Sequence, residues 1–280
     1  MEPSPTIGIA LSGGGARGIA HIGVLKALVE AGLAPTVVAG TSSGAIVGCL
    51  YAHGASIEEL TQFARVGTGL SLLRMGNPLK GLIKLTLLRE KLEGVLASDD
   101  FYCLRYPLLV TASDLQRGRL AVFESGPLIS AVQASCAIPL VFRPVEIDGR
   151  QHIDGGLYMN LPAQPIRARC DLLIGSDVMP VEVAEADPFT TVVGIGQRVF
   201  DLSLAQNSQA SRAVCDVLVD PPDIFGFNVY NFSRTDELIE HGYAAAKAVI
   251  PLVERKLGAL TVEAPSRQSG QKISTRQSSP

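Results

Sequence analysis

Five residues, Gly40-Thr41-Ser42-Ser43-Gly44, have the types and spacing to make a serine into a nucleophile. They follow the apolar run Pro35-Thr36-Val37-Val38-Ala39 and lead into Ala45-Ile46-Val47-Gly48-Cys49-Leu50-Tyr51. Strand, sharp turn, helix is the context in which G-x-S-x-G acts as a nucleophile elbow. Glycines two positions before and two after let the backbone turn tightly beneath the serine, and Ser42 has both while Ser43 does not. In isolation the same pattern also describes a Gly/Ser turn that merely opens a helix.

A reactive serine needs a base and a device that holds negative charge. Gly13-Gly14-Gly15-Ala16-Arg17-Gly18 follows an apolar strand and precedes a helical pattern. Its G-x-G-x-x-G spacing also matches a dinucleotide loop, which expects an acidic residue about 20 positions on. The end of the second strand, Ala39-Gly40-Thr41-Ser42, carries no acid, and a Walker Gly-Lys-Ser/Thr is absent. The other reading is an oxyanion hole, in which consecutive backbone N–H groups at a helix start point at one anionic oxygen. Arg17 would steady this loop, attract an anionic headgroup, or form a surface ion pair.

Two residues compete as the base. Asp154, in Ile153-Asp154-Gly155-Gly156, ends a strand, and the glycines leave its surroundings open. His241 completes the chain order Ser42…Asp154…His241 of an α/β-hydrolase triad, but it falls in the helical pattern Asp236–His241. His21, in the first turns after the glycine loop, reads as a packing residue.

The positioning elements come from the apolar pattern. Strands are expected at 7–11, 36–39, 107–113, 119–123, 172–177 and 216–219. Helices are expected at 19–31, after Ser42, from Ser56, and at 127–136, 190–207 and 235–257. Val145-Glu146-Ile147 and Gln151-His152-Ile153, joined through Asp148-Gly149, read as a hairpin. Near-continuous apolar strands separated by helices indicate an α/β protein with a mostly parallel sheet covered on both faces. One domain over 5–260 and a polar, disordered tail over 264–280 are expected.

Composition narrows the classes of function. The 280 residues are 47% hydrophobic and 18% charged with a net charge of −3, so no overall basic field argues for nucleic acid. Five scattered cysteines (Cys49, Cys103, Cys136, Cys170, Cys215) form no C-x-x-C pair, which favours buried thiols in a reducing, cytoplasmic setting. The start of the chain lacks a signal-peptide pattern, and no run of about 18 apolar residues occurs. No cofactor, metal or calcium loop is implied.

Four motifs in order, Gly-Gly-Gly-Ala-Arg-Gly at 13–18, Gly-Thr-Ser-Ser-Gly at 40–44, Ala-Ser-Cys-Ala-Ile-Pro at 134–139 and Asp-Gly-Gly at 154–156, resemble the patatin-like phospholipases. The resemblance implies a three-layer α/β/α sandwich and a Ser-Asp dyad. It carries Ser42 over as nucleophile, Asp154 as base, and Gly13, Gly14 and Gly15 with Arg17 as the oxyanion loop. It implies a phospholipid or other fatty acyl ester as substrate. Residues 65–91 interleave Arg65, Arg74, Lys80, Lys84, Arg89 and Lys91 with leucines, a pattern suited to a lid or to peripheral contact with an anionic membrane.

Overall fold

The computed structural model describes residues 5–65, 85–179, 191–222 and 224–262. Much of the basic stretch (66–84) and the polar tail (264–280) therefore lie outside the described residues.

Eight strands form one sheet: β1 (Ile7–Leu11), β2 (Val37–Gly40), β3 (Leu108–Asp114), β4 (Arg119–Phe123), β5 (Val145–Ile147), β6 (Arg150–Asp154), β7 (Leu172–Ser176) and β8 (Val217–Val219). Their order is β5-β6-β3-β2-β1-β7-β8, with β4 also pairing with β3. The run from β3 through β2, β1 and β7 to β8 is parallel, while β4, β5 and β6 pair antiparallel. Between β5 and β6, Asp148 (φ 51°) and Gly149 (φ 70°) both adopt positive φ. That is the geometry of a two-residue type I′ turn, which Asp-Gly favours.

Side chains alternate between the two faces, as the pleat requires. Ile9, Leu11, Val38, Leu108, Val110 and Ile174 enter one large core, while Ala10, Val37, Ala39, Leu109 and Leu173 enter a second. The first core is covered by α1 (Ala20–Glu30), α2 (Ser43–His53), α3 (Ile57–Arg65) and the long α7 (Thr235–Val262). On the opposite face Leu161, Ala163 and Ile166 close over the sheet, with Val214 and Cys215 from beyond the end of α6 (Val192–Arg212). The sheet thus lies between two layers, as the apolar strands predicted.

Helix α1 meets α7 at a pair of glycines. A Cβ on Gly23 would lie 1.9 Å from the Ile239 carbonyl oxygen, and one on Gly242 would lie 1.9 Å from that of Ala20. Backbone touches backbone there, so neither position has room for a side chain.

Two further helices matter for the site: α4 (Thr86–Glu93), which the sequence pattern did not separate from its basic surroundings, and α5 (Leu128–Ser135). The basic residues described around α4 are engaged within the chain. Arg89 donates to Ser130 and Gln133, Arg65 pairs with Asp236 at 2.6 Å, and Lys91 lies over the Phe63 ring. Leu85, Leu88 and Leu92 are buried.

Candidate active site

The sheet brings the serine and the aspartate together through one edge of β3. The last pair of β2 with β3 is Gly40 with Val110, and Val110 also pairs with Phe123 of β4. β2 and β4 therefore occupy opposite edges. β4 and β6 both pair with residues 112–114, so they too lie on opposite edges. It follows that β6 takes up the edge of β3 that β2 leaves at Gly40. Asp154 pairs with Ala112, two residues or about 7 Å past the point where β2 turns away into the elbow.

The elbow itself is strained. Ser42 has φ 52° and ψ −122°, at the N-cap of α2. A non-glycine residue in such a region costs on the order of 1–3 kcal/mol and persists only where its surroundings enforce it. The flanking glycines show why. A Cβ on Gly40 would stand 2.5 Å from the Gly44 carbonyl oxygen, and one on Gly44 would stand 2.3 Å from that of Leu11. Strand, turn and helix are packed backbone to backbone.

One more contact pins the elbow. The Ser42 N–H donates to Ser135 Oγ at 2.8 Å, and Ser135 is fully buried at the end of α5. The sequence places this serine in the Ala-Ser-Cys-Ala-Ile-Pro motif but assigns it no role; that role exists only once α5 packs under the elbow. Ser135→Ala would leave a buried N–H without an acceptor, a cost of about 1–3 kcal/mol. We expect urea denaturation to show a loss of that order, and kcat for ester substrates to fall roughly 10-fold or more with little change in KM.

Asp154 is 2% exposed. Its carboxylate accepts a hydrogen bond from the Gly156 N–H at 2.8 Å, and the Ser42 hydroxyl is the second donor that favours its charged form. Burial pushes its pKa up from 3.8 to about 7, against the opposing pull of those two donors. Burial, together with the Asp154 charge, raises the pKa of the Cys136 thiol, which lines the same cleft.

The glycine loop divides its roles. The Gly13 N–H donates to the Asn160 carbonyl at 3.1 Å, so it is not available to an oxyanion. Gly13 instead permits close approach, since its Cβ would fall 2.6 Å from Asn160 Oδ1 and 3.2 Å from Ser42 Cβ. Gly14 and Gly15 line the same cleft as Ser42 and Asp154. Among the described residues the N–H groups of Gly14, Gly15 and Ser43 have no acceptor. Arg17 turns its side chain toward the chain at 225–227. It is buried, and its guanidinium donates to the carbonyl oxygens of Phe227 (2.7 Å) and Phe225 (3.1 Å). It fastens the chain at 225–227 to the glycine loop, and the Ala16 N–H adds a bond to the Val229 carbonyl at 2.8 Å.

The histidines fall elsewhere. His241 packs edge-on against Phe227 at 5.2 Å and does not line the cleft. A triad through His241 is therefore corrected to an aromatic contact on α7. His21 is buried between Ser176 Oγ and the Ser12 carbonyl, each at 2.8 Å, and burial lowers its pKa to about 4. It ties the end of β1 to the end of β7 as a neutral ring.

The cleft holds about 890 Å³ of empty space, its open mouth included. Leu85, Leu88, Phe142, Phe200 and Leu204 give it an apolar wall, and Gln197, Asp201 and Tyr230 add polar groups. No described helix is long and apolar enough to cross a membrane.

The family model of the patatin-like phospholipases matches residues 9–166. An uncharacterised NTE family protein of Mycobacterium bovis is 35% identical over 222 residues, covering 76% of this chain and 61% of that protein. A lysophospholipase nte1 of Aspergillus fumigatus is 27% identical over 283 residues, covering 86% of this chain and 18% of its own length. The chain thus spans less than two thirds of these relatives. Among solved structures, human GIVD cytosolic phospholipase A2 superposes with a TM-score of 0.52 at 14% identity, over 91% of this chain and 59% of that one, a likeness of fold. With its elbow, its Asp-Gly-Gly turn and the matched family model, this chain belongs to the patatin-like phospholipase family.

Proposed function

We propose that this chain is a serine lipid acyl hydrolase, cleaving a phospholipid, lysophospholipid or related fatty acyl ester with Ser42 and Asp154. The observation that carries this reading is a strained Ser42 lining the same cleft as a buried carboxylate, Asp154, whose pKa burial raises to about 7. A base is most effective when its pKa lies near the working pH, and an ordinary carboxylate is far too weak there. The apolar lining around the serine suits a lipid substrate, and a relative named as a lysophospholipase shares 27% of its residues over the aligned region.

Asp154 takes the hydroxyl proton as Ser42 Oγ attacks the ester carbonyl carbon. The carbonyl oxygen becomes an oxyanion, held by the N–H groups of Gly14, Gly15 and Ser43. Collapse breaks the bond to the leaving alcohol, which takes the proton from Asp154. Water then enters, gives a proton to Asp154, and its oxygen attacks the acyl-enzyme. Collapse of the second intermediate returns the proton to Ser42 and frees the fatty acid.

Two outcomes test this. Ser42→Ala is expected to reduce fatty acid release from a lysophospholipid, and p-nitrophenyl ester hydrolysis, by at least about 10³-fold. For the wild type, kcat/KM should rise about tenfold per pH unit below pH 7 and level off above it, because Asp154 acts only when deprotonated. A flat profile between pH 5 and 8 would remove Asp154 as the base.

A further inference from the structure

Beside the catalytic cleft lies a second cavity of about 390 Å³ of empty space, its open side included. It shares Gly15, Ser43, Ile46 and Phe232 with the cleft, so the two meet at a neck beside the nucleophile. Beyond the neck its walls are apolar: Ile19 and Ile22 of the α1 region, Val47 and Leu50 of α2, and Leu60, Phe63 and Ala64 of α3. The neck residues Ser43 and Ile46 keep partial exposure, whereas Val47, Leu50, Leu60 and Ala64 are buried.

Resting on the acyl hydrolase reading, we propose that this second cavity receives the acyl chain and sets its preferred length, while the leaving alcohol departs through the cleft past α6. The α2 helix gives the direction. Ser42, Ile46 and Leu50 stand at intervals of four residues on one helix face, so the apolar strip starts at the nucleophile and runs along the axis away from it. From position 42 to position 50 the helix rises about 12 Å. An extended chain advances about 1.3 Å per carbon for carbon–carbon bonds near 1.5 Å, so about nine carbons fit that span. The α6 residues Gln197, Phe200 and Asp201 line the cleft and not the second cavity, which leaves the two halves of the ester with separate surroundings. Phe63 and Ala64 at the far wall are the specificity-determining residues.

Two substitutions at that wall act in opposite directions. Ala64→Phe fills the cavity, and Phe63→Ala lengthens it. Each methylene withdrawn from an apolar site costs roughly fourfold in kcat/KM. The test is the kcat/KM profile of the full chain on p-nitrophenyl butanoate, octanoate, decanoate and dodecanoate. Ala64→Phe should lower the decanoate-to-butanoate ratio by about 10- to 100-fold. Phe63→Ala should move the preferred length upward by at least about two carbons, and it keeps the proposal testable should Ala64→Phe fail to fold. A profile unmoved by both variants overturns the assignment while leaving the hydrolase reading intact. Absence of wild-type hydrolysis on every ester overturns both.

Discussion

Asp154→Asn should abolish ester hydrolysis and at the same time make the protein more stable at alkaline pH. The two effects share one cause. In the folded chain the carboxyl has a pKa of about 7 against an ordinary 3.8, because burial disfavours its charged form. The folded state therefore binds the proton more tightly than the unfolded state. The stability contributed by the protonated acid is fully present below about pH 4 and is lost as the pH rises to 7. The integrated loss above pH 7 is up to about 4 kcal/mol. An asparagine carries no charge to bury, and its oxygen can still accept the Gly156 N–H. Urea denaturation should show the variant overtaking the wild type progressively between pH 4 and pH 7, with a constant gap above. Activity should fall at least about 10³-fold, since an amide cannot take the Ser42 proton. A variant both inactive and no more stable at pH 8 would mean that the buried charge is compensated elsewhere.

Gly44→Ala should be the most damaging single methyl group near the site. The added Cβ would meet the carbonyl oxygens of Leu11 and Ser12 at 2.3 and 2.6 Å, and both are backbone atoms at the end of β1. Neither can rotate aside, so the start of α2 or the end of β1 must move. Overpacking of this kind costs about 1–3 kcal/mol. Moving α2 also moves the Ser43 N–H and the Ser42 hydroxyl relative to Asp154 and the glycine loop. We expect kcat/KM to fall at least about 100-fold, a loss larger than the change in stability alone would cause at 25 °C. Melting temperature and kcat/KM measured on the same preparation separate the two contributions.

Much of this was legible in the chain itself, and the limits have physical reasons. The elbow could be read because its requirements are local: strand, two glycines and helix are consecutive, and Ser42 is the residue between them. The hairpin could be read for the same reason, down to the Asp148-Gly149 turn. The sheet order could not. That β6 fills the edge of β3 vacated by β2 is a pairing between residues about 40 positions apart, and no periodicity encodes it. The same holds for Ser135, Cys136 and Asn160, which gain their contacts only when α5 and the turn after Asp154 pack beside the elbow. Among the three roles the sequence left open for Arg17, steadying the loop could not be singled out because its acceptors lie about 210 residues away. Its charge suggested an anion, yet the folded chain supplies carbonyl oxygens. The family resemblance grouped Gly13 with its neighbours, whereas one backbone bond to Asn160 separates it from Gly14 and Gly15. His241 shows the converse hazard: chain order alone offered a triad, and the helix that carries it sets the ring against Phe227.

The central claim is that Asp154 activates Ser42 as a nucleophile. Its most direct test is peptide mass spectrometry after brief exposure of the wild type and Asp154→Asn to an alkyl fluorophosphonate at pH 8. The account predicts a phosphonyl adduct on Ser42, absent from Ser43, forming at least about 100-fold more slowly in Asp154→Asn. Labelling at another serine, or equal labelling rates in the two proteins, would contradict it.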